Sequence, residues 1–447
     1  MSADLRAPAA AASDYQGTMT TLGFHYFPDE THFRQADLQA WLPELEAIGA
    51  RWLTLIGSLT RAIPEPFIKG LQEAGIEPIV HLPAMPTRRE VAGSNSGALS
   101  MLFRTYARWG VKYVVPFSEP NSRAAWAPAD WGKAGLVERF LDLLVPVLEA
   151  QLEAGLRPTF PALKAGGEYW DTAFLEAALA GLAKRGHAQT LKQMTFAVNL
   201  WTFNRPAAWG QGGLRRWPEA RPYLTPPGSQ DQRGFRLFDW YNEIITDRVG
   251  ETRPLLCLAG GPVLNNQTDP QFPAVNELWH ASCIQEISQA ANAGELPRNL
   301  LNVNFWLLAA PDGSPFEREA WYRTDGKTLT AVDALKTAAA HAMRVERRRV
   351  DEAKVIQRAP KLVQVEKGLK HYVLLPTFEW GVSEWHWNAA LDFVRTRRPV
   401  CGFSPAEAAQ AEHVTIFGNE QGISAEIEQE LRRAGCKVDR LRVAQEA

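Results

Sequence analysis

The feature that most constrains this chain is a regular alternation of short apolar segments with longer amphipathic ones. The short segments are rich in β-branched and aromatic residues, which is typical of strands covered on both faces. They lie at 22–27, 51–58, 77–82, 113–119, 157–163, 194–201, 253–258 and 301–308. Between them apolar residues recur at helical spacing, as in Leu38, Leu42, Leu45 and Ile48, which predicts a helix after each strand.

Eight strands that alternate with helices predict an α/β fold of the (β/α)8 TIM barrel type. A final helix near 330–348 completes the set. The alternative is a doubly wound sheet, which we disfavour because no glycine-rich phosphate loop follows the first strand. Polar residues also cluster where the strands end, as they do in α/β barrels.

The 447 residues suit a large barrel with an appended domain. Residues 1–18 are rich in Ala and Ser and are expected to be a disordered tail. The barrel is assigned to 19–348 and a charged linker to 349–369. A second α/β pattern over 370–447 has strands at 371–375, 413–418 and 437–443, and a helix capped by Ser424, which predicts a small Rossmann-like domain.

Composition excludes several classes of function. The net charge of −2 gives no basic surface for nucleic acid. No run of 18 apolar residues predicts membrane insertion, and no basic segment precedes an apolar one as in a signal peptide. The default expectation is a cytoplasmic protein, or a secreted or cell-surface one if a leader has been removed. The four cysteines have no metal-binding spacing, so neither a metal site nor a cofactor is expected.

A single carboxylate stands at a position where barrels carry their chemistry. The strand Tyr113–Phe117 runs into Ser118, Glu119 and Pro120. Proline has no N–H group and fixes its own φ, so the strand should stop at Glu119. A glutamate at the carboxyl end of a barrel strand is therefore a candidate catalytic residue, although a solvated loop glutamate would look the same in the sequence.

Residues 19 to about 345 resemble the retaining glycoside hydrolases of the two-glutamate (β/α)8 clan. In that clan an Asn-Glu-Pro motif after strand four carries the general acid/base, which the resemblance places at Glu119. A tryptophan at the end of strand eight, here Trp306, forms the floor of the sugar site. The resemblance further implies a carbohydrate ligand, an oligo- or polysaccharide, and it implies that several residues contact the sugar: His25, Tyr26, His81, Ser118, Asn121, Trp126, Asn199 and Trp201.

Three positions depart from the pattern of the clan. The turn after strand seven reads Leu258-Ala259-Gly260-Gly261, and its glycines place Ala259 where the nucleophilic glutamate is expected. Ser118 replaces the usual asparagine before the acid/base, and Asn199 stands where a histidine is common. Because alanine cannot attack a sugar, the resemblance implies that retaining hydrolysis is lost.

Three hypotheses remain open. The first is a catalytically degenerate barrel that binds carbohydrate, with Glu119 as a surviving acid and sugar ligand. The second is an active glycosidase in which a displaced carboxylate works with Glu119 in an inverting pair about 6.5–9.5 Å apart. The candidates for that carboxylate are Glu168, Asp312 and Glu317. The third is a structural or partner-binding barrel.

The second domain has a faint resemblance of its own. Val414–Gly418, Gly422–Ser424 and Gly435–Val438 are similar to the cell-wall-binding repeats of bacterial surface proteins. The alternative is a domain that serves only to pack against the barrel.

Overall fold

The computed structural model of the protein describes residues 19–84, 95–264, 272–340, 367–378, 381–382 and 384–441. The chain divides into two compact units, Met1–Arg344 and Val345–Ala447. The whole predicted tail, 1–18, and most of the predicted linker lie outside the described residues. Within the described residues, no helix has the length and apolarity needed to cross a bilayer.

The first unit alternates strands and helices along its whole length. Its strands are β1 Thr21–His25, β2 Trp52–Ile56, β3 Glu77–Leu82, β4 Tyr113–Pro116, β5 Thr159–Phe160, β6 Thr195–Trp201, β7 Leu255–Gly261 and β8 Asn302–Phe305. Its long helices are α1 Gln35–Ala47, α2 Glu65–Glu73, α3 Asn95–Arg108, α4 Leu136–Ala154, α5 Asp171–Lys184, α6 Leu237–Val249, α7 Glu277–Asn292 and α8 at 330–340. Short helical turns lie at Arg123–Ala125, Pro128–Trp131, Ala188–Leu191, Gly213–Arg216 and Glu317–Glu319.

The eight strands are all parallel and follow one another in a closed order. Five of them pair in the order β4-β3-β2-β1-β8, and the other three pair as β5-β6-β7. Backbone hydrogen bonds join the two sheets at both ends. The Glu119 N–H donates to the Ala162 carbonyl at 3.1 Å between β4 and β5, and the Trp306 N–H donates to the Gly260 carbonyl at 3.0 Å between β7 and β8. This is the strand order of a (β/α)8 barrel, and the parallel strands confirm the predicted α/β class.

Alternation along each strand divides the core into two layers. On β4, Val114 packs outward with the helices, whereas Tyr113 and Val115 belong to a separate cluster that fills the barrel interior. That interior cluster also contains Ile79, Ala162, Ala197, Leu256, Leu258 and Leu301. The barrel is therefore packed along its axis, and an open site is left to its rim.

Seven of the eight strands differ in their bounds from the prediction, and for two of them the structure gives the cause. Strand β5 keeps only Thr159 and Phe160, because Pro158 and Pro161 on either side have no N–H group to donate. Strand β7 instead continues to Gly261, three residues beyond its predicted end. A Cβ on Gly260 would lie 2.6 Å from the Leu200 carbonyl oxygen, so glycine is what allows β6 and β7 to remain paired there.

The second unit contains a four-stranded parallel sheet in the order β12-β9-β13-β14. The strands of this sheet are β9 Leu369–Leu374, β12 Val400–Gly402, β13 Ala411–Phe417 and β14 Lys437–Leu441. A separate small hairpin is formed by β10 Thr377–Phe378 and β11 Gly381–Val382. Its helices are α9 Glu384–Arg397, the short turn Pro405–Ala408 and α10 Ala425–Arg433. Ser424 caps α10 as predicted, and its hydroxyl accepts from the Ile427 N–H. The short strand β12 was not predicted. All four cysteines of the chain are free thiols.

Candidate active site

Strand β4 leads into a strained turn that presents Glu119. Phe117 and Glu119 have φ angles of 60° and 47°, a left-handed region that costs a residue other than glycine roughly 1–3 kcal/mol. Hydrogen bonds hold the turn in place. The Glu119 N–H donates to Ala162 on the β5 side, and the Ser122 N–H donates to the Glu119 carbonyl at 2.8 Å. Strained backbone held by its surroundings is typical of functional sites.

The Glu119 carboxyl group is half-buried and has one direct hydrogen-bond donor among the residues that the structure describes. The Asn199 amide on β6 donates to Glu119 Oε1 at 3.3 Å. Burial raises the pKa of Glu119, and the nearby Glu168 charge acts in the same direction. The Lys164 charge and the Asn199 hydrogen bond oppose this rise in pKa without cancelling it. A carboxyl group with a raised pKa retains its proton at higher pH, as a general acid must.

This raised pKa predicts how one substitution changes stability. Glu119→Gln is expected to increase the free energy of unfolding at neutral pH by about 1 kcal/mol, because it removes a charge that burial disfavours. The protonated wild-type carboxyl carries no such penalty. The gain in the free energy of unfolding should therefore be absent below the pKa of the unfolded chain, about 4.3. It should appear as the pH rises above that value and through the raised pKa of Glu119 in the folded protein. Chemical denaturation in acidic and neutral buffers checks this, with the exposed Glu153→Gln as a control expected to change nothing.

Ala259 lies within β7 and not in a turn after it. It is buried, and it pairs in register with Asn199, the residue that bonds to Glu119. A bulge precedes this pair: Val198 is opposite Cys257 and Asn199 is opposite Ala259, which leaves Leu258 as the extra residue of β7. The structure therefore places a methyl group at the β7 position that pairs with Asn199, the residue whose amide donates to Glu119.

An aromatic wall stands beside this cluster on the strand ends. Trp306 follows β8, and its ring centroid lies 5.9 Å from that of Trp201 at the end of β6. His25 on β1 lies 4.6 Å from Trp306, and Phe316 lies 5.4 Å from it on the loop after β8. The Glu319 carboxylate accepts a hydrogen bond from the Trp306 indole N–H at 2.5 Å, which holds the ring in this position.

Two histidines on β1 and β3 lie near the same strand ends and interact with one another. His81 Nε2 is 3.0 Å from the Phe117 carbonyl oxygen, so it contacts the turn that carries Glu119. Burial lowers the pKa of His25 to about 3, with a further contribution from His81, and burial lowers the pKa of His81 to about 4. Both imidazoles are therefore neutral at neutral pH. Among the described residues, His25 Nδ1 is buried without a hydrogen-bond partner.

Strand alternation places Tyr26 away from the site. Tyr26 comes directly after His25, the last residue of β1, and its side chain points outward. Its ring packs with Phe33, Trp41 and Phe67 between the strands and the helices. Only 1% of it is exposed. The prediction that both His25 and Tyr26 contact a sugar is wrong for Tyr26, because neighbouring residues of a strand face opposite sides.

Asn121 has a different place from the one predicted. It is fully buried, and its amide binds the backbone of the β5 loop through Lys164 N, Lys164 O and Tyr169 O at 2.8–2.9 Å. These bonds use the hydrogen-bonding capacity of the side chain, so Asn121 connects the loops after β4 and β5 and is not available to a ligand. The half-buried Trp126 donates from its indole N–H to the Pro120 carbonyl at 2.7 Å, and its ring lies under Arg139.

The three carboxylates considered as a second catalytic group differ in their surroundings. Glu168, exposed on the loop after β5, accepts a hydrogen bond from the Arg123 N–H at 3.2 Å. Burial acts to raise its pKa, but hydrogen bonds from two backbone N–H groups and the Lys164 and Arg123 charges lower it overall. Asp312 is exposed and has no hydrogen-bond or ion-pair partner among the described residues. Glu317 accepts from the Thr324 hydroxyl.

Two residues near the site were not predicted. Lys164 follows β5 as Glu119 follows β4, so the rule that barrel sites lie at strand ends could have identified it. Glu319 had no such signal, because its contact with Trp306 depends on how the loop after β8 folds back. No group of three side chains suited to a metal ion occurs within the described residues.

No protein-family model matches this sequence, and no curated protein does. Similar solved structures are glycoside hydrolases by their titles, the class that the sequence resembles. A family 39 glycoside hydrolase from the gut symbiont Bacteroides cellulosilyticus is 11% identical over 71% of this chain and 64% of its own, with a TM-score of 0.48. A glucosidase from Croceicoccus marinus is 11% identical over 72% of this chain and 66% of its own, with a TM-score of 0.45.

A β-glucuronidase from Lactobacillus rhamnosus is 14% identical over 72% of this chain, with a TM-score of 0.41. This chain spans 64% of the length of the family 39 enzyme and 50% of the length of the glucuronidase.

Proposed function

We propose that this chain binds a carbohydrate at the mouth of its barrel unit and has lost hydrolysis through a covalent intermediate. The observation that carries the proposal is the pairing of Ala259 with Asn199, whose amide donates to Glu119. A retaining hydrolase needs a second carboxylate about 5–5.5 Å from its acid. A methyl group occupies the β7 position that the clan pattern assigns to this carboxylate.

The remaining side chains suit a sugar. The half-buried rings of Trp201 and Trp306 offer apolar faces on which the C–H groups of a pyranose can stack. The half-buried side chains of Glu119 and Asn199 offer hydrogen-bonding atoms for hydroxyl groups beside those rings. Ser118 precedes Glu119 and supplies a further hydroxyl. A few convergent polar groups on an aromatic wall are typical of carbohydrate sites.

Cleavage of activated aryl glycosides with and without azide tests this proposal. Azide is a small anion that can attack the sugar in place of the carboxylate that an alanine at position 259 lacks. We expect no cleavage by the wild-type chain alone and formation of glycosyl azide when azide is present. Glu119→Gln is the matched control. It should still form glycosyl azide from substrates with good leaving groups, because these depart without protonation. It should be slower on substrates whose leaving group must be protonated.

A second candidate function is an inverting glycosidase that uses Glu119 as acid and Glu168 as base. Burial, with a smaller contribution from the Glu168 charge, raises the pKa of Glu119, whereas the pKa of Glu168 is lowered. Carboxyl groups whose pKa values are pushed apart are typical of acid–base pairs. Under this alternative the wild-type chain cleaves glycosides without azide, and Glu168→Gln abolishes that cleavage. Such a result would exclude the first proposal.

A further inference from the structure

A lysine and a cysteine are in direct contact in the second unit. The Lys367 ammonium donates to Cys436 Sγ at 2.9 Å, although the two residues are 69 positions apart in the sequence. Lys367 lies just before β9, and Cys436 comes directly before β14. The fold of this unit therefore brings an amine and a thiol together from two distant segments of the chain.

Hydrogen bonds hold the two side chains in this contact. The Ala409 carbonyl accepts from the Lys367 ammonium at 2.9 Å, which fixes the end of the lysine side chain. The Cys436 N–H donates to the Leu431 carbonyl at 3.0 Å, so the cysteine backbone is bound to α10. Cys436 is 6% exposed and Lys367 is half-buried, so the pair lies at the edge of the core of this unit.

The lysine places a positive charge beside the sulfur. No carboxylate forms an ion pair with Lys367 among the residues that the structure describes, and the groups that contact its ammonium are the Ala409 carbonyl and the Cys436 sulfur. Peroxides oxidise cysteines most readily where a cationic side chain lies next to the sulfur. Cys436 has the surroundings of a cysteine that reacts with an oxidant.

The other three cysteines have different surroundings. Within the described part of the chain, no cationic side chain contacts the sulfur of Cys257, Cys283 or Cys401. Burial raises the pKa of Cys257 and of Cys283 to about 12, and burial also raises the pKa of Cys401. Thiols with a raised pKa stay protonated and react slowly with oxidants, so oxidation of this chain should begin at Cys436.

We propose that Cys436 and Lys367 are a modification site, at which hydrogen peroxide drives formation of a reversible sulfenamide bond between Sγ and Nζ. The sulfur first attacks the peroxide. An S–O bond forms, the O–O bond breaks, and the departing hydroxide takes up the thiol proton as water, which leaves a sulfenic acid.

The second step consumes the sulfenic acid. The Lys367 ammonium gives one proton to solvent, and the neutral amine attacks the sulfur, as a backbone nitrogen does in known sulfenamides. An S–N bond forms, the S–O bond breaks, and the hydroxyl leaves with an amine proton as water. Overall the thiol and the amine lose one hydrogen each, and one peroxide is reduced to two waters.

The bond would join two distant segments of the second unit. It links the residues before β9 and β14 across 69 positions, so it restricts the unfolded chain as a disulfide does. A thiol reductant can attack the same sulfur and restore both side chains. The stability of this unit should therefore depend on the redox conditions, independently of any carbohydrate at the barrel unit.

Peptide mapping of the full chain by mass spectrometry, before and after hydrogen peroxide, tests the proposal. Peroxide should link the peptides of Lys367 and Cys436 into one species, about 2 Da lighter than their sum. Dithiothreitol should reverse the link, and the other three cysteines should stay unmodified. The linked chain should also need more urea to unfold its second unit than the same chain after dithiothreitol.

Lys367→Arg keeps the positive charge, but a guanidinium does not lose its proton and cannot attack the sulfur. In this variant Cys436 should stop at sulfenic acid, which dimedone traps, or continue to sulfinic acid, and peroxide should not raise the urea midpoint. Lys370→Arg, at an exposed position of β9, is the matched control and should form the link as the wild type does.

Two results in the wild-type chain would overturn the proposal. One is oxidation of Cys436 to sulfenic or sulfinic acid with no bond to Lys367. The other is a Cys436 thiol that peroxide leaves unchanged, whether or not another cysteine reacts. Neither result depends on the folding of a variant.

Discussion

Ala259→Glu is expected to convert this chain into a hydrolase of activated aryl glycosides, with a rate several orders of magnitude above that of the wild type. The substitution places a carboxylate at the β7 position paired with Asn199, whose amide already donates to Glu119. Two carboxylates at these positions restore the pair that a covalent route requires. Each tenfold gain in rate corresponds to about 1.4 kcal/mol of barrier, so a gain of this size cannot come from small changes in binding.

Ala259→Gln is the control for this prediction, because glutamine has nearly the same shape as glutamate but no negative charge with which to attack the sugar. It should remain inactive, and the double variant Ala259→Glu with Glu119→Gln should lose most of the gain on substrates with poor leaving groups. The measurement is release of the aryl group over a panel of sugars, with circular dichroism to show that each variant is folded. A folded Ala259→Glu variant that cleaves nothing on a panel that the wild type binds would contradict the assignment of the nucleophile position.

Gly23→Ala is expected to destabilise the barrel unit by about 3 kcal/mol or more, the upper end of the effect of overpacking in a core. A Cβ at this position of β1 would lie 2.3 Å from Asn304 Oδ1 and 2.4 Å from the Trp52 carbonyl oxygen. Neither neighbour can move easily. Asn304 donates to the Thr54 hydroxyl at 2.8 Å and accepts from the Asn302 amide at 2.7 Å, and Trp52 is on the adjacent strand.

Gly97→Ala is the matched control, since it adds the same methyl group to an exposed position of α3 with nothing within 4 Å. It should raise the free energy of unfolding by about 0.5–1 kcal/mol, the difference in helix propensity between the two residues. Equilibrium unfolding in urea compares the two variants directly. Equal stability of both would show that β1 can shift away from Trp52, and would contradict the tight approach of β1 and β2.

The interior polar network explains why Gly23 has so little room. Thr54, Asn302 and Asn304 are fully buried among apolar residues, and each satisfies its side chain through another member or through the backbone. Buried polar groups are stable only when their hydrogen bonds are made, so the network must keep its geometry. Because Gly23 has no Cβ, β1 can lie as close to Asn304 and Trp52 as that geometry requires.

The sequence alone determined the order of the barrel elements, because strand and helix periodicity are local properties of the chain. The buried segment before Glu119 predicted the strand β4, which the structure contains, but the proline after Glu119 predicted an end at Glu119 and the structure ends β4 three residues earlier, at Pro116. The pattern of apolar residues also predicted the helices that follow each strand. These features depend on residues close to one another in the chain, and their physical causes are equally local.

Only the tertiary structure decided which side chains meet. The strand around His25 and Tyr26 was predicted, but its register sends Tyr26 outward into the core between strands and helices. Asn121 lies next to the predicted catalytic turn, yet its partners are Lys164 and Tyr169, more than 40 positions away. The extension of β7 through Ala259 depends on the backbone of β6, and the position of Trp306 depends on Glu319. Such contacts form between distant segments, so a local pattern does not determine them.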